Sequence, residues 1–195
     1  GSWSPETVVA DPVVFGSHVV AAEGLNRSMA WRKPDGGVWF RRNAQQEQLV
    51  DPASNATDLT LTDVPGDFVL AWRTPGTLRA KKVSETSPAL SLNVTGVAAP
   101  SSSAQVPNLI HQNGSGEIAL FTMQPSFSEL AGRRINNTLL TSKVLSTAFQ
   151  TGTLIISREA TVGVLQVAND ANNGAPVPFA VGGEPEALAS DPGRQ

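Results

Sequence analysis

The sequence predicts an all-β domain of short antiparallel strands, a sandwich or barrel. Two observations carry that expectation. Apolar and polar residues alternate over short runs rich in β-branched side chains. Gly, Pro, Asn and Asp clusters punctuate those runs at close intervals. A length of 195 residues suits one domain with a real core, so the expected unit is residues 1–195, with extended arms over about 1–10 and 183–195.

Taken in order, strands are expected over residues 13–21, 28–33, 38–42, 58–62, 68–72 and 78–83. Further runs follow at 89–94, 117–123, 153–158 and 161–168. Pro34-Asp-Gly-Gly37, Val64-Pro-Gly-Asp67, Thr74-Pro-Gly-Thr77 and Asn169-Asp-Ala-Asn-Asn-Gly174 supply the turns. Residues 97–104, VAAPSSSA, read as a polar, flexible connection. Ser126-Phe-Ser-Glu129 has capping-box spacing, and Leu130 to Arg134 would complete a helical turn or two. No internal repeat is evident.

The most sharply specified unit is SMAWRKPDGGVWFRRN, residues 28–43. Asp35-Gly36 is a type I′ hairpin signal, because both turn positions need positive φ. Centred there, the turn sets Trp31 opposite Phe40, Lys33 opposite Val38 and Met29 opposite Arg42. Arg32 then faces Trp39, with Arg41 beside it, an arrangement suited to cation–π stacking. Such a face would grip a neighbouring subunit or a nucleobase; a pair covered by its own chain is the simpler expectation.

Composition narrows the function classes. No apolar run reaches the roughly 18 residues that would span a bilayer. Cysteine is absent, so disulfides and thiolate metal sites are excluded. Charged residues make up 16%, below the roughly 25% usual for soluble domains, and 33 Ser and Thr residues fill the difference. A surface covered by neighbours needs less charge than a free monomer. The net charge of −3 gives no overall attraction for nucleic acid. Five N-x-Ser/Thr triplets begin at Asn26, Asn55, Asn93, Asn113 and Asn136, against roughly two expected from composition. Without cysteines or a visible leader, they read as Asn/Thr-rich loops.

Catalytic chemistry finds little footing. Ser17 precedes His18, yet strand neighbours point to opposite faces and cannot form a nucleophile–base pair unless a bulge at Gly16 intervenes. Gly-Ser-His-Val also lacks the second glycine of a nucleophile elbow. His111 sits before a Gln-Asn-Gly-Ser-Gly loop, and both histidines are expected to be structural. Asp58, Asp63 and Asp67 do not match a calcium loop, and Gly182-Gly183 leads into Glu-Pro rather than a phosphate-binding helix. The expectation is a non-enzyme with no cofactor and no metal.

The second half carries a resemblance. Residues 106–129, VPNLIHQNGSGEIALFTMQPSFSE, together with Gly152-Thr-Leu-Ile-Ile-Ser-Arg158 and Val162-Gly-Val-Leu-Gln-Val-Ala168, resemble the jelly rolls of picorna-like virus capsid proteins. Asn169 to Asn173 and Phe179-Ala-Val-Gly-Gly-Glu-Pro185 resemble that fold's last strand and exit. The family's Pro-Tyr/Phe-x-Ser is Gln124-Pro-Ser-Phe-Ser in this chain, and tyrosine is absent. The resemblance implies an eight-stranded antiparallel jelly-roll sandwich acting as a structural subunit of a small icosahedral capsid, assembled in host cytoplasm into a virion. Its partners would be other capsid proteins, further copies of itself and, on the inner face, genomic RNA, with a host receptor outside. Arg32, Trp39, Arg41, Arg42, Arg133 and Arg134 are the candidate interface or RNA contacts. Gly1 and Gln195 would be the termini left by polyprotein cleavage. A second expectation is a protruding, receptor-binding domain that recognises a glycan or protein through loops around Trp39.

Overall fold

A computed structural model describes residues 14, 18–23, 26–52, 55–103, 106–112, 118–123, 130–135, 143–149, 152–159, 162–169 and 177–180, with side-chain detail concentrated in residues 27–100. The described residues form strands and turns, all strand pairs being antiparallel. Sheet I comprises β1 (His18–Glu23), β2 (Asn26–Arg32), β3 (Val38–Arg42) and β4 (Gln48–Asp51). Sheet II comprises β5 (Thr57–Val64), β6 (Asp67–Thr74), β7 (Thr77–Lys82) and β8 (Leu90–Asn93). Sheet III comprises β9 (Val97–Ser103), β10 (Val106–Gln112), β11 (Ile118–Met123) and β12 (Leu130–Ile135). Sheet IV comprises β13 (Lys143–Phe149), β14 (Gly152–Glu159), β15 (Val162–Asn169) and β16 (Val177–Ala180).

Within every sheet the spatial order is the chain order. The expected all-β, antiparallel class is thus present, whereas the non-consecutive neighbours that Greek-key connections give an eight-stranded jelly roll do not occur among the described strand pairs. Sixteen described strands instead form four consecutive meanders. The first strands stand in a column: β1 meets β5, β5 meets β9, and β9 meets β13. Four-stranded meanders placed side by side through their first strands are arranged as the blades of a β-propeller are. No comparable contact joins sheet IV to sheet I among the described strands.

The meanders also reveal a repeat that the sequence reading missed. Ala30-Trp-Arg-Lys-Pro34 and Ala71-Trp-Arg-Thr-Pro75 occupy the same place in sheets I and II. Trp31 pairs with Trp39 beside the Arg32–Val38 pair, and Trp72 pairs with Arg79 beside the Arg73–Leu78 pair. The third unit puts Ile110 and His111 at the corresponding positions, so the tryptophan signature vanishes there.

Period-2 alternation sends the faces of sheet II in opposite directions. Phe68, Leu70 and Trp72 pack with Ala30, Val38 and Phe40 of sheet I. Val69, Ala71, Leu78 and Ala80 pack with Ala98 and Leu109 of sheet III. Strand β6 is therefore buried along its whole length except at half-buried Arg73. Each large apolar side chain buried this way contributes about 1.5–3 kcal/mol, which is what holds successive sheets together.

Two local expectations change for the same reason. Residues 97–103 are not a flexible connection but strand β9, because they pair with β10 and Ala98 is buried against sheet II. Leu130 to Arg134 belong to strand β12 rather than a helix, paired with β11 from Leu130 to Ile135. Strands β4, β10, β13 and β16 lie largely outside the expected runs. The arms 1–10 and 183–195, with Gly1 and Gln195, lie outside the described residues.

Turn chemistry is legible at Val64-Pro-Gly-Asp67 and Thr74-Pro-Gly-Thr77, where Val64 pairs with Asp67 and Thr74 with Thr77. Proline fixes the first turn residue, and Gly66 (φ 79°) and Gly76 (φ 76°) take the left-handed second position. A Cβ at either glycine would meet nothing within 4 Å, so the demand is one of backbone alone. Gly76→Ala is expected to cost about 1–2 kcal/mol, read as a lower urea midpoint at unchanged slope. An unchanged midpoint would contradict the turn assignment.

Candidate functional site

The β2–β3 hairpin differs from its expected register by one residue. Met29 pairs with Arg41, Ala30 with Phe40, Trp31 with Trp39 and Arg32 with Val38. The turn is longer than two residues: Gly36 N–H donates to the Lys33 carbonyl at 3.0 Å, and Lys33 N–H to that of Gly37 at 3.0 Å. Pro34 and Asp35 form the turn proper, and Gly36 (φ 85°) adopts the left-handed conformation that follows it. Asp35 accepts from Gly37 N–H at 2.8 Å, which stiffens the loop.

This shift gives each candidate residue a different neighbour. The cation over Trp39 is Lys33, at 3.9 Å from the ring centroid, and not Arg32. Lys33 also pairs with Glu47 at 2.7 Å. Arg32 turns towards sheet II, donating from Nη1 to the Ala56 carbonyl at 2.7 Å. Arg42 lies over Phe68, 5.2 Å from its centroid, and 4.0 Å from Asp67. Arg41 is half-buried on the far side of the sheet. Arg133 and Arg134 pair in register with Leu120 and Ala119, and their side chains lie outside those described. Thus Arg32 and Arg42 tie sheet I to sheet II, while Trp39 and Lys33 close over each other.

Two carboxylates that the sequence did not single out for this role organise the I–II junction. At one end of the strands Asp51, 7% exposed, accepts from Trp72 Nε1 at 2.8 Å and Arg79 Nη1 at 3.0 Å. A β-bulge aims it: Trp39 pairs with Leu49, but Val38 pairs with Asp51, leaving Val50 as the extra residue. In an unbroken ladder Asp51 would point away from sheet II. At the opposite end Asp67, 2% exposed, accepts from Ser84 N–H at 3.2 Å and from the Ser84 hydroxyl. It thereby pins the start of the β7–β8 connection.

Beside that pinned connection lies a hollow of about 290 Å³, lined by Ala80, Lys81, Lys82, Glu85, Ser87 and Pro88 among others. Lys82 reaches Glu85 at 3.5 Å, and Ser87 donates to Glu85 at 3.2 Å. The lining residues thus include a hydroxyl, a carboxylate and two lysines at consecutive β7 positions whose side chains leave opposite faces of the strand, Lys82 being the one paired with Glu85. That donor set suits hydrogen bonding to an acidic or hydroxylated ligand.

The other candidates disperse. His18 lies on β1 opposite Trp31, and Ser17 is outside the described residues. His111 belongs to strand β10, and its ring stacks on Phe121 at 5.8 Å with 18° between planes. Burial lowers the pKa of its imidazole below the ordinary value. Asp58 lies 4.0 Å from Arg73 and accepts from Thr57, while Asp67 is the pin just described. No group of three or more His, Cys, Asp or Glu residues that would hold a metal occurs among the described residues. No described helix is long and apolar enough to cross a membrane.

Asp51→Ala is expected to cost about 2 kcal/mol by orphaning the indole N–H of Trp72, measured by chemical denaturation. In double-mutant cycles, coupling of Asp51 to buried Trp72 should exceed its coupling to part-exposed Arg79. For His111 the sign follows from its lowered pKa: below about pH 6.5 the unfolded chain takes up a proton more readily than the folded one. The wild type should then lose stability on acidification from pH 7.5 to 5 faster than His111→Phe does, and parallel curves would contradict this. No family model matches the chain, and no curated protein matches it, so its function is argued from this geometry.

Proposed function

We propose that the chain is a non-catalytic recognition module, a rigid β scaffold that binds an acidic or hydroxylated ligand group at one loop edge. One observation carries this reading: a buried carboxylate, Asp67, pins the β7–β8 connection beside a hollow lined by Lys81, Lys82 and Ser87. Loops held on a packed scaffold present ligand groups at little ordering cost. The Asn43–Glu47 loop shares this edge and is fixed likewise, with Asn43 Oδ1 accepting from Arg27 N–H at 2.7 Å. The expected receptor-binding role is thus kept in general form but moved from Trp39, whose ring is occupied by Lys33.

The capsid-subunit reading drew its fold from a resemblance to jelly rolls. Sheets in which every neighbour is consecutive in the chain lend it no support.

Screening the full chain against arrays of acidic glycans and acidic peptides should give binding that Lys81→Ala and Lys82→Ala each weaken at least several-fold. Both positions are half-buried at the strand end, so the melting temperature should stay nearly constant. Binding untouched by both substitutions, or turnover of an ester or glycoside substrate, would sink this reading.

A further inference from the structure

Every passage from one sheet to the next carries the same type of triplet. Asn55-Ala-Thr57 joins sheet I to II, Asn93-Val-Thr95 joins II to III, and Asn136-Asn-Thr138 follows β12 on the way to sheet IV. The other two such triplets, at Asn26 and Asn113, end in serine and lie elsewhere: at the start of β2 and between β10 and β11.

In the two described passages the triplet has one burial pattern. Ala56 is 0% exposed and fills the core between sheets I and II, and Val94, 7% exposed, fills the core between II and III. The flanking Asn55, Thr57, Asn93 and Thr95 are all exposed. A plug between sheets explains an apolar residue between two polar ones. The left-handed φ of 48° favours asparagine at position 55, but the fold calls neither for asparagine at strand position 93 nor for the same asparagine–threonine spacing in both passages.

We propose that Asn55, Asn93 and Asn136 are acceptors of N-linked glycans. In the transfer, the asparagine amide nitrogen attacks C1 of a lipid-pyrophosphate-linked oligosaccharide. The new bond is N–C1, the C1–O bond to pyrophosphate breaks, the amide nitrogen loses a proton, and the lipid pyrophosphate departs. The threonine hydroxyl two residues on completes the acceptor sequence. The maturing chain must meet this donor in a secretory lumen, where a protein without cysteine needs no disulfide chemistry.

The fold then adds a condition that the sequence does not: the modified side chain must point outward once the sheets have closed, as Asn55 and Asn93 do. Because strands alternate in direction, the two described passages leave from the same edge of the array. That edge is opposite the one carrying the Lys81–Lys82 hollow, so glycans there would not obstruct it. A hydrated carbohydrate rim also supplies the solvation that a chain with 16% charged residues otherwise lacks.

The test is secretion of the full chain from eukaryotic cells behind a cleavable leader, with mass measured before and after peptide N-glycosidase. Three glycan-sized steps are expected, with conversion to aspartate at positions 55, 93 and 136. Thr57→Val and Thr95→Val should each remove one step, whereas Thr57→Ser and Thr95→Ser should retain it, so a folding defect is distinguishable from a lost acceptor. If secreted or lumenal protein carries no glycan at Asn55 and Asn93, or carries glycans only at Asn26 or Asn113, the proposal is wrong.

Discussion

The arrangement of the first two sheets depends on one buried carboxylate. Apolar packing between sheets I and II is strong but has no preferred setting; Ala30, Phe40, Phe68 and Leu70 would tolerate sliding. Asp51 removes that freedom, because an indole N–H and a guanidinium from two adjacent strands of sheet II converge on one of its oxygens. Burial makes the arrangement stringent: any slip leaves charge or a donor unpaired in a dry junction. At the other strand ends Asp67 bonds Ser84 within its own sheet and lies 4.0 Å from Arg42 of sheet I, a looser contact between the same two sheets.

Edge-fixing of this kind separates stability from recognition. The apolar faces and the two carboxylates specify how sheets stack, while the turns that project beyond them are free to vary. One edge bears the Pro75-Gly76 and Pro34-Asp35-Gly36 turns and the passages between sheets; the other bears the Pro65-Gly66 turn, the longer, pinned loops and the hollow. Carbohydrate on the first and ligand on the second would use this division without conflict. Two of the arginines that looked available for nucleic acid are part of the stacking: Arg32 bonds to the Ala56 carbonyl in the passage to the neighbouring sheet, and Arg42 covers Phe68.

How far all this was legible differs element by element. Strands such as β3, β6 and β7 announce themselves through alternation and through glycine at forced positive φ. Strand β9 does not, because Val-Ala-Ala-Pro-Ser-Ser-Ser has the composition of a linker and becomes a strand only through burial against a neighbouring sheet. The repeat was present as Ala-Trp-Arg-x-Pro in two copies, but the third unit replaces tryptophan by His111, and periodicity dissolves with it. The hairpin register failed on a single point: Asp-Gly fits a two-residue turn, whereas the proline before it favours the longer turn seen here. Asp51 had no local signal at all, since its face is set by a bulge and its partners lie in another sheet.

That bulge makes the chain unevenly tolerant of length changes. Added residues in the Asn43–Glu47 connection would lengthen a surface loop and leave the strands that follow in place. Within β4 the count matters: a regular ladder that kept Val50 would set Val50 opposite Val38 and turn Asp51 to the wrong side of the sheet. A flawless strand at this position would be the defective one, for the irregularity is what lets one sheet recognise the next.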